Sequence, residues 1–289
     1  MSDVHVGLVS QEPLGDALVG QVAEITGVSP VFRDLTGLFA ASFGGVAVTG
    51  DVTDFTTRIR ACADTEHVVA AVTTGPLAMG GPGLLVSDVD STILTEEVID
   101  LLAEHAGTRA QVAEITERAM RGELDFGESL TARVATLAGV PTGVLADVAA
   151  SVTISPGAEG LIASVKRGGG HVALVSGGFE EVVEPIAARL GIDMFAANRL
   201  EVRDGRLTGR TTGERVDRAA KARWLATFQK RVDAVGVVAV GDGANDLDML
   251  AAADLGVAYC AKPVTARAAD AAVGFPRLDA ITAFWPQDA

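Results

Sequence analysis

Little in this chain can be cross-linked. Its 289 residues include two cysteines, Cys62 and Cys260, far apart, so no disulfide framework is expected and a reducing, cytoplasmic setting is. Long apolar runs are missing too. No stretch of about 18 apolar residues free of charge occurs, and the longest candidate, "LTGLFAASFGGVAVTG", is broken by glycine, so no membrane partner is expected. The first residues carry no basic segment ahead of an apolar one, which argues against a secretory leader. Positive charge is scarce: 23 Lys and Arg stand against 38 Asp and Glu, a net charge of −15. That balance argues against nucleic acid as a partner and requires any anionic ligand to find locally placed cations. Lysine occurs only at 166, 221, 230 and 262, so each can be considered singly. The four histidines, His5, His67, His105 and His171, have no spacing suited to zinc.

What is present is enough apolar material, 48% of residues, for a sizeable core. The first 75 residues read as strand, helix, one or two strands, helix, strand. "VHVGLV" and "HVVAAVTT" are the outer strands, and Leu14, Leu18, Val19, Val22 and Ile25 recur at helical spacing. This is the β-α-β-β-α-β order of a small α+β, ferredoxin-like domain. "GPLAMGGPG" then marks a linker at about 76–83. From 84 to 289, buried strands alternate with helices, which predicts an α/β domain with a Rossmann-like parallel sheet. A helical block at about 95–150 interrupts it as an inserted cap. Thr95 is the expected N-cap of its first helix, and Pro141 opens its fourth. Asp204-Gly205 between alternating residues predicts a hairpin.

In an open parallel sheet, ligands bind beyond the carboxyl ends of the strands. "LLVSDVDST" brings Asp88 and Asp90 to one such end. On an extended chain, residues two apart share a face, so these carboxylates are expected side by side, repelling each other. "HVALVSGGF" brings Ser176 and Gly177 to a second end, and "VGVVAVGDGAND" brings Asp242, Asn245 and Asp246 to a third. An oxygen-rich cluster of this kind suits Mg²⁺. The Ser176 hydroxyl and the Gly177 amide can donate to a phosphate, and Lys221 can add a point charge.

With these motifs in this order, the sequence resembles the haloacid dehalogenase superfamily of phosphohydrolases. It is similar, more narrowly, to the phosphoserine phosphatase family over about residues 84–275. There the motifs are joined by "DVDSTILTEEVIDLLAEHAG", "ITERAMRGELDFGESLTARVATLAG" and "FAANRLEVRDGRLTG". The resemblance implies Mg²⁺-dependent hydrolysis of O-phospho-L-serine, with Asp88 as nucleophile and Asp90 as general acid and base. The metal ligands it implies are Asp88, the Asp90 carbonyl oxygen and Asp242, with Asp246 supporting the metal's water shell or Lys221. Ser176, Gly177, Lys221 and Asn245 would hold phosphate oxygens. Glu97 would read the substrate ammonium and Arg133 its carboxylate, while Met120 and Phe126 close over the ligand. Another small phosphomonoester, or phosphoryl transfer to an alcohol, stays open as an alternative. The first 75 residues look like an ACT-type domain, and their role stays open: binding L-serine as a feedback ligand, or serving as an appendage that pairs copies of the chain into a homodimer or is purely structural.

Overall fold

The computed structural model describes residues 2–65 and 67–287; Met1, Glu66, Asp288 and Ala289 lie outside the described residues. The chain opens with β1 (Ser2–Ser10), α1 (Asp16–Thr26), β2 (Val31–Asp34), β3 (Phe39–Val48), α2 (Val52–Asp64) and β4 (Val69–Thr74). The strands form an antiparallel sheet in the order β2-β3-β1-β4, the ferredoxin-like arrangement. Val4, Val6 and Leu8 face one way and pack under Leu18, Val22, Phe55 and Ile59 of the two helices.

The other face of this sheet is covered as well. Val9, Leu38, Ala40 and Ala71 join the core of the second domain. What they meet is a turn of 3₁₀ helix at Leu278–Phe284, followed by Trp285. Thr73 donates its hydroxyl to the Phe284 carbonyl at 3.1 Å, and Arg33 donates to the Thr282 carbonyl at 3.1 Å. At Gly7 the two units come so close that a Cβ would collide with the Ala283 carbonyl. Residues 75–80, read from sequence as part of a linker, form the short helix α3 (Gly75–Gly80), with Leu77 buried. Leu77 has an apolar neighbourhood to enter, which the Gly/Pro density alone did not reveal.

His5 lies on this covered face, 1% exposed, and neither ring nitrogen has a hydrogen-bond partner. Burial lowers its pKa to about 4; the nearby Ala283 backbone pulls the other way and the Arg33 charge adds to the lowering. The folded chain therefore keeps His5 neutral where the unfolded chain, with a value of 6.5, binds a proton. Stability that is full above pH 6.5 is lost as pH falls toward 4, by about 3 kcal/mol from this residue. Denaturant titrations of wild type and His5→Leu at pH 7 and pH 4 measure this. The wild type is expected to lose more stability than the variant by that amount, and parallel losses would remove His5 from the account.

The second domain begins with β5 (Leu84–Ser87), and the cap follows as α4 (Val98–Ala106), α5 (Arg109–Met120), α6 (Phe126–Ala135) and α7 (Gly143–Ser151). The first cap helix starts at Val98, so Thr95 is not its N-cap. Thr95 instead donates its amide to the Thr153 carbonyl beside the Leu94–Ile154 bridge, and the chain bends through residues 95 and 96 before the helix begins. Then come α8 (Ala158–Arg167), β6 (His171–Phe179), α9 (Glu180–Arg189), β7 (Met194–Arg203), β8 (Arg206–Thr212), α10 (Arg218–Val232) and β9 (Val237–Gly241). The chain closes with α11 (Leu247–Ala252), β10 (Leu255–Tyr259), α12 (Pro263–Ala268) and β11 (Ala271–Val273). The β7–β8 turn is Asp204-Gly205 with φ of 50° and 72°, the doubly positive geometry expected of that dipeptide.

The sheet order is β11-β10-β9-β5-β6-β7-β8, parallel except for β8. From β5 the chain builds outward through β6 and β7, then returns to β9 on the other side. The switch in direction falls between β5 and β9, where a crevice opens beyond the strand ends. Asp88 leaves β5 at that point and Asp242 leaves β9.

Candidate active site

Asp88 is 3% exposed. Its Oδ1 accepts from the Val89 amide at 2.7 Å, and its Oδ2 faces Lys221 Nζ at 2.7 Å. The lysine is 0% exposed and also donates to Asp246 Oδ1 at 2.6 Å. α10 delivers it: Asp217 caps that helix through the Ala220 amide at 2.9 Å, and Lys221 is the next residue. Burial by itself would lower the lysine's pKa, but the charges of Asp88 and Asp246 outweigh it and hold the ammonium above its ordinary range.

After Asp88 the backbone turns sharply. Residues 89–93 form a single wide turn in which Ser91 adopts φ 55°, closed by the Leu94 amide on the Val89 carbonyl at 2.9 Å. Asp90 therefore does not continue an extended strand. Its Oδ1 accepts from the Val98 amide at the start of α4 at 2.8 Å, and its Oδ2 accepts from the Ser176 hydroxyl at 2.9 Å. The Gly178 amide donates to the same Ser176 oxygen at 2.7 Å. A Cβ on Gly178 would sit 2.7 Å from Asp90 Oδ2, so this approach requires glycine.

The repulsion expected between Asp88 and Asp90 is thus a minor one. The pKa of Asp88 is raised well above the ordinary carboxylate range, first by burial and then by Asp246, with the Lys221 charge opposing; Asp90 contributes least. Asp90 is itself raised by burial, with the Val98 amide and the Ser176 hydroxyl opposing. Asp242 is raised to about 6, by burial and then by Asp246. One carboxylate oxygen from each of Asp88, Asp242 and Asp246 lies within 4.8 Å of the others. Four carboxylates, counting Asp90, face one ammonium in a largely buried space. The donor set is all oxygen, and the uncompensated charge is what a hard divalent cation relieves, so these residues fit a metal ion.

Above this layer opens a cavity of about 670 Å³ between cap and sheet. Asp88, Asp90, Gly177, Asp242 and Asn245 form its floor; Glu97, Met120, Phe126 and Arg133 line it from the cap. Ser176, Lys221 and Asp246 lie behind the wall, each 0% exposed, with Ser176 and Lys221 already donating to carboxylates. Glu97 is open to the cavity and accepts from Ser91 Oγ at 2.9 Å; the surrounding walls and then the Asp90 charge raise its pKa to about 7. Arg133 is lowered by burial, with Glu97 and Asp100 opposing, and its Nε has no partner.

The cavity also holds residues that the sequence reading passed over. Asp100, Ser129, Arg218 and Lys262 line it, and Asn198 lies beneath Gly177. Asn198 did leave a signal. In "MFAANRLEV" the residues at 194, 196, 198 and 200 share one face, and a polar residue among buried apolar ones at that parity is out of place.

A family model described as haloacid dehalogenase-like hydrolase matches residues 85–251. A phosphoserine phosphatase of Streptomyces coelicolor is 51% identical over 244 residues, 81% of this chain and 58% of that one. A structure of a phosphoserine phosphatase described as an analogue of its phospho-aspartyl intermediate is 39% identical. It matches 71% of this chain and 99% of its own with a TM-score of 0.67. A haloacid dehalogenase family hydrolase from Salmonella enterica serovar Typhi, 26% identical, matches the full length of both chains with a TM-score of 0.85. The chain belongs to the haloacid dehalogenase-like hydrolases and, within them, to the family of the phosphoserine phosphatases. It spans a little over half the length of the Streptomyces relative.

Proposed function

We propose that this chain hydrolyses O-phospho-L-serine to L-serine and phosphate through an aspartyl phosphate on Asp88. The observation that carries the reading is one cavity whose floor is a buried carboxylate cluster with a lysine and whose cap wall offers carboxylates, Glu97 and Asp100, and one guanidinium, Arg133. A phosphate monoester needs the floor; an amino acid zwitterion needs the wall. The relative solved as a phospho-aspartyl intermediate analogue supports the covalent step.

An Asp88 carboxylate oxygen attacks phosphorus, a new O–P bond forms, and the bond from phosphorus to the seryl oxygen breaks. Asp90 gives its proton to that oxygen. It then takes a proton from a water, whose oxygen attacks phosphorus and releases Asp88. Asp90 suits both duties because burial favours its protonated form, while the Val98 amide and Ser176 hydroxyl stabilise the ionised one. Asp88 and Asp242 would hold Mg²⁺, with the Asp90 carbonyl oxygen as a further ligand, and Asp246 would steady Lys221. The bound ion supplies positive charge against the phosphoryl oxygens. Gly177, Asn245 and Lys221 would hold those oxygens, and Ser176 would join them once its hydrogen turns away from Asp90. Glu97 would gain its charge as it meets the substrate ammonium, and Arg133 would grip the carboxylate with its fork of donors. Met120 and Phe126 would cover the bound serine.

Phosphate release from O-phospho-L-serine with Mg²⁺ tests this directly. Steady release is expected, abolished by EDTA and restored by excess Mg²⁺; release only from other phosphomonoesters would replace the substrate. Arg133→Ala sharpens the test. It is expected to cut kcat/KM on phosphoserine by about 10- to 150-fold, the equivalent of one charge-assisted contact. Hydrolysis of p-nitrophenyl phosphate, which has no carboxylate, is expected to change less than about threefold on the same grounds. Equal losses on both would show that Arg133 does not read the carboxylate.

A further inference from the structure

Asn198 is 1% exposed on a strand whose other inward residues, Met194, Ala196 and Leu200, are apolar. A buried amide at such a position is costly unless it is bonded at both ends. It is. Nδ2 donates to the Gly177 carbonyl at 2.8 Å, and Oδ1 accepts from the Val216 amide at 2.9 Å. The opposite amide rotamer would set donor against donor at Val216 and acceptor against acceptor at Gly177, so the orientation is determined.

Both partners lead to the site. The Gly177 carbonyl belongs to the peptide plane shared with the Gly178 amide. That amide donates to Ser176 Oγ, which donates to Asp90 Oδ2. Val216 immediately precedes Asp217, the cap of the helix that carries Lys221. Phe126 closes the turn from the cap side, since a Cβ on Gly177 would lie 3.2 Å from its Cζ. One side chain thus bridges the turn under the cavity floor and the entry to the lysine helix.

We propose that Asn198 is a positioning residue for the phosphoryl step: by holding the Gly177–Gly178 peptide it aims the Ser176 hydroxyl at Asp90 and keeps the turn in register with Lys221. This rests on the phosphoryl-transfer reading above, not on the choice of phosphoserine. Asn198 touches neither the cavity nor the reacting atoms, so its loss is expected to lower kcat and spare KM. A displacement of about 1 Å at a reacting group can cost about 10²-fold.

The test compares wild type, Asn198→Asp and Asn198→Ser on both O-phospho-L-serine and p-nitrophenyl phosphate, with folding followed by circular dichroism. Asn198→Asp keeps the shape and the acceptor for Val216 but, when ionised, turns an acceptor toward the Gly177 carbonyl. At pH 8 its kcat is expected to fall by about 10²-fold on both substrates, with KM within about threefold. Its kcat relative to wild type is expected to recover as pH falls and the acid regains a proton to donate. Asn198→Ser leaves room for a bridging water and is expected to lose about tenfold, less than the full displacement would cost. If Asn198→Asp does not fold, Asn198→Ser is read in its place. A folded variant with wild-type kcat, a loss in KM alone, a loss on phosphoserine alone, or failure of both variants to fold would each overturn the proposal. Wild-type activity on the aryl phosphate alone would overturn only the substrate reading, whereas inactivity on both substrates would remove the phosphoryl-transfer reading and the proposal with it.

Discussion

Replacing Asp88 by asparagine is expected to abolish turnover, by on the order of 10⁴-fold or more, and to abolish phosphoenzyme. The amide keeps the shape of the carboxylate and can still accept from the Val89 amide, but it is no nucleophile toward phosphorus. The structure adds a second expectation. Asp88 is buried, and its charged form is opposed by burial and by Asp246 more than by any other neighbour. A neutral side chain removes that opposition, so the metal-free variant is expected to melt no lower than the metal-free wild type. Added Mg²⁺ is expected to raise the wild-type Tm more than that of the variant, because a ligand stabilises the fold by its affinity for the native state. Rapid quench with labelled substrate reads the first expectation, and thermal melts with and without Mg²⁺ read the second. Retained phosphoenzyme in Asp88→Asn would move the nucleophile elsewhere. A large loss of metal-free stability would show that the Lys221 pair, rather than carboxylate crowding, dominates at this position.

Lys221→Met is expected to be costly on both counts. The ammonium is 0% exposed and is the cation bonded to both Asp88 and Asp246. Deleting one partner of a buried ion pair typically costs about 3–5 kcal/mol, because the remaining charge has neither water nor counterion. Two carboxylates are stranded here, and Asp88, whose pKa burial and Asp246 already raise, escapes by taking up a proton. The loss is therefore expected to grow as pH rises: the folded variant holds protons that the unfolded chain releases, so ionisation favours unfolding. Urea titrations at pH 5.5 and 8 measure that slope, and the double variant Lys221→Met/Asp246→Asn is expected to recover part of the stability. Its kcat is expected to stay about 10²–10³-fold below wild type, the scale of losing one preorganised electrostatic contact. A Lys221→Met protein as stable and as active as wild type would mean that the buried ion pair contributes neither stability nor catalysis.

Local patterning carried a good share of this molecule. Buried strands that run straight into "DVDST", "SGGF" and "GDGAND" placed three polar clusters at strand ends, and the parallel topology placed those ends on one side of the sheet. Asp204-Gly205 named its own turn, because few dipeptides tolerate two positive φ angles. The cap was readable as a helical block interrupting the alternation of strands and helices. Its first boundary was not, because Thr95 bonds to Thr153, 58 residues away, in place of capping. β11 went unseen because three residues carry no period. The covered second face of the ferredoxin-like sheet went unseen because its partner, Leu278–Phe284, comes from the far end of the chain.

The sequence by itself determined which residue types stand at the ends of which strands, since side-chain direction alternates along a strand and recurs along a helix whatever surrounds it. Only the tertiary structure decided who faces whom. Asp246 opposes Asp88 more than its near neighbour Asp90 does, Ser176 commits its hydrogen to Asp90, and Asn198 ties Gly177 to Val216. The physical reason is distance. Charge repulsion and hydrogen bonding depend on separations of a few ångströms between atoms, and those are set when strands far apart in sequence pair side by side.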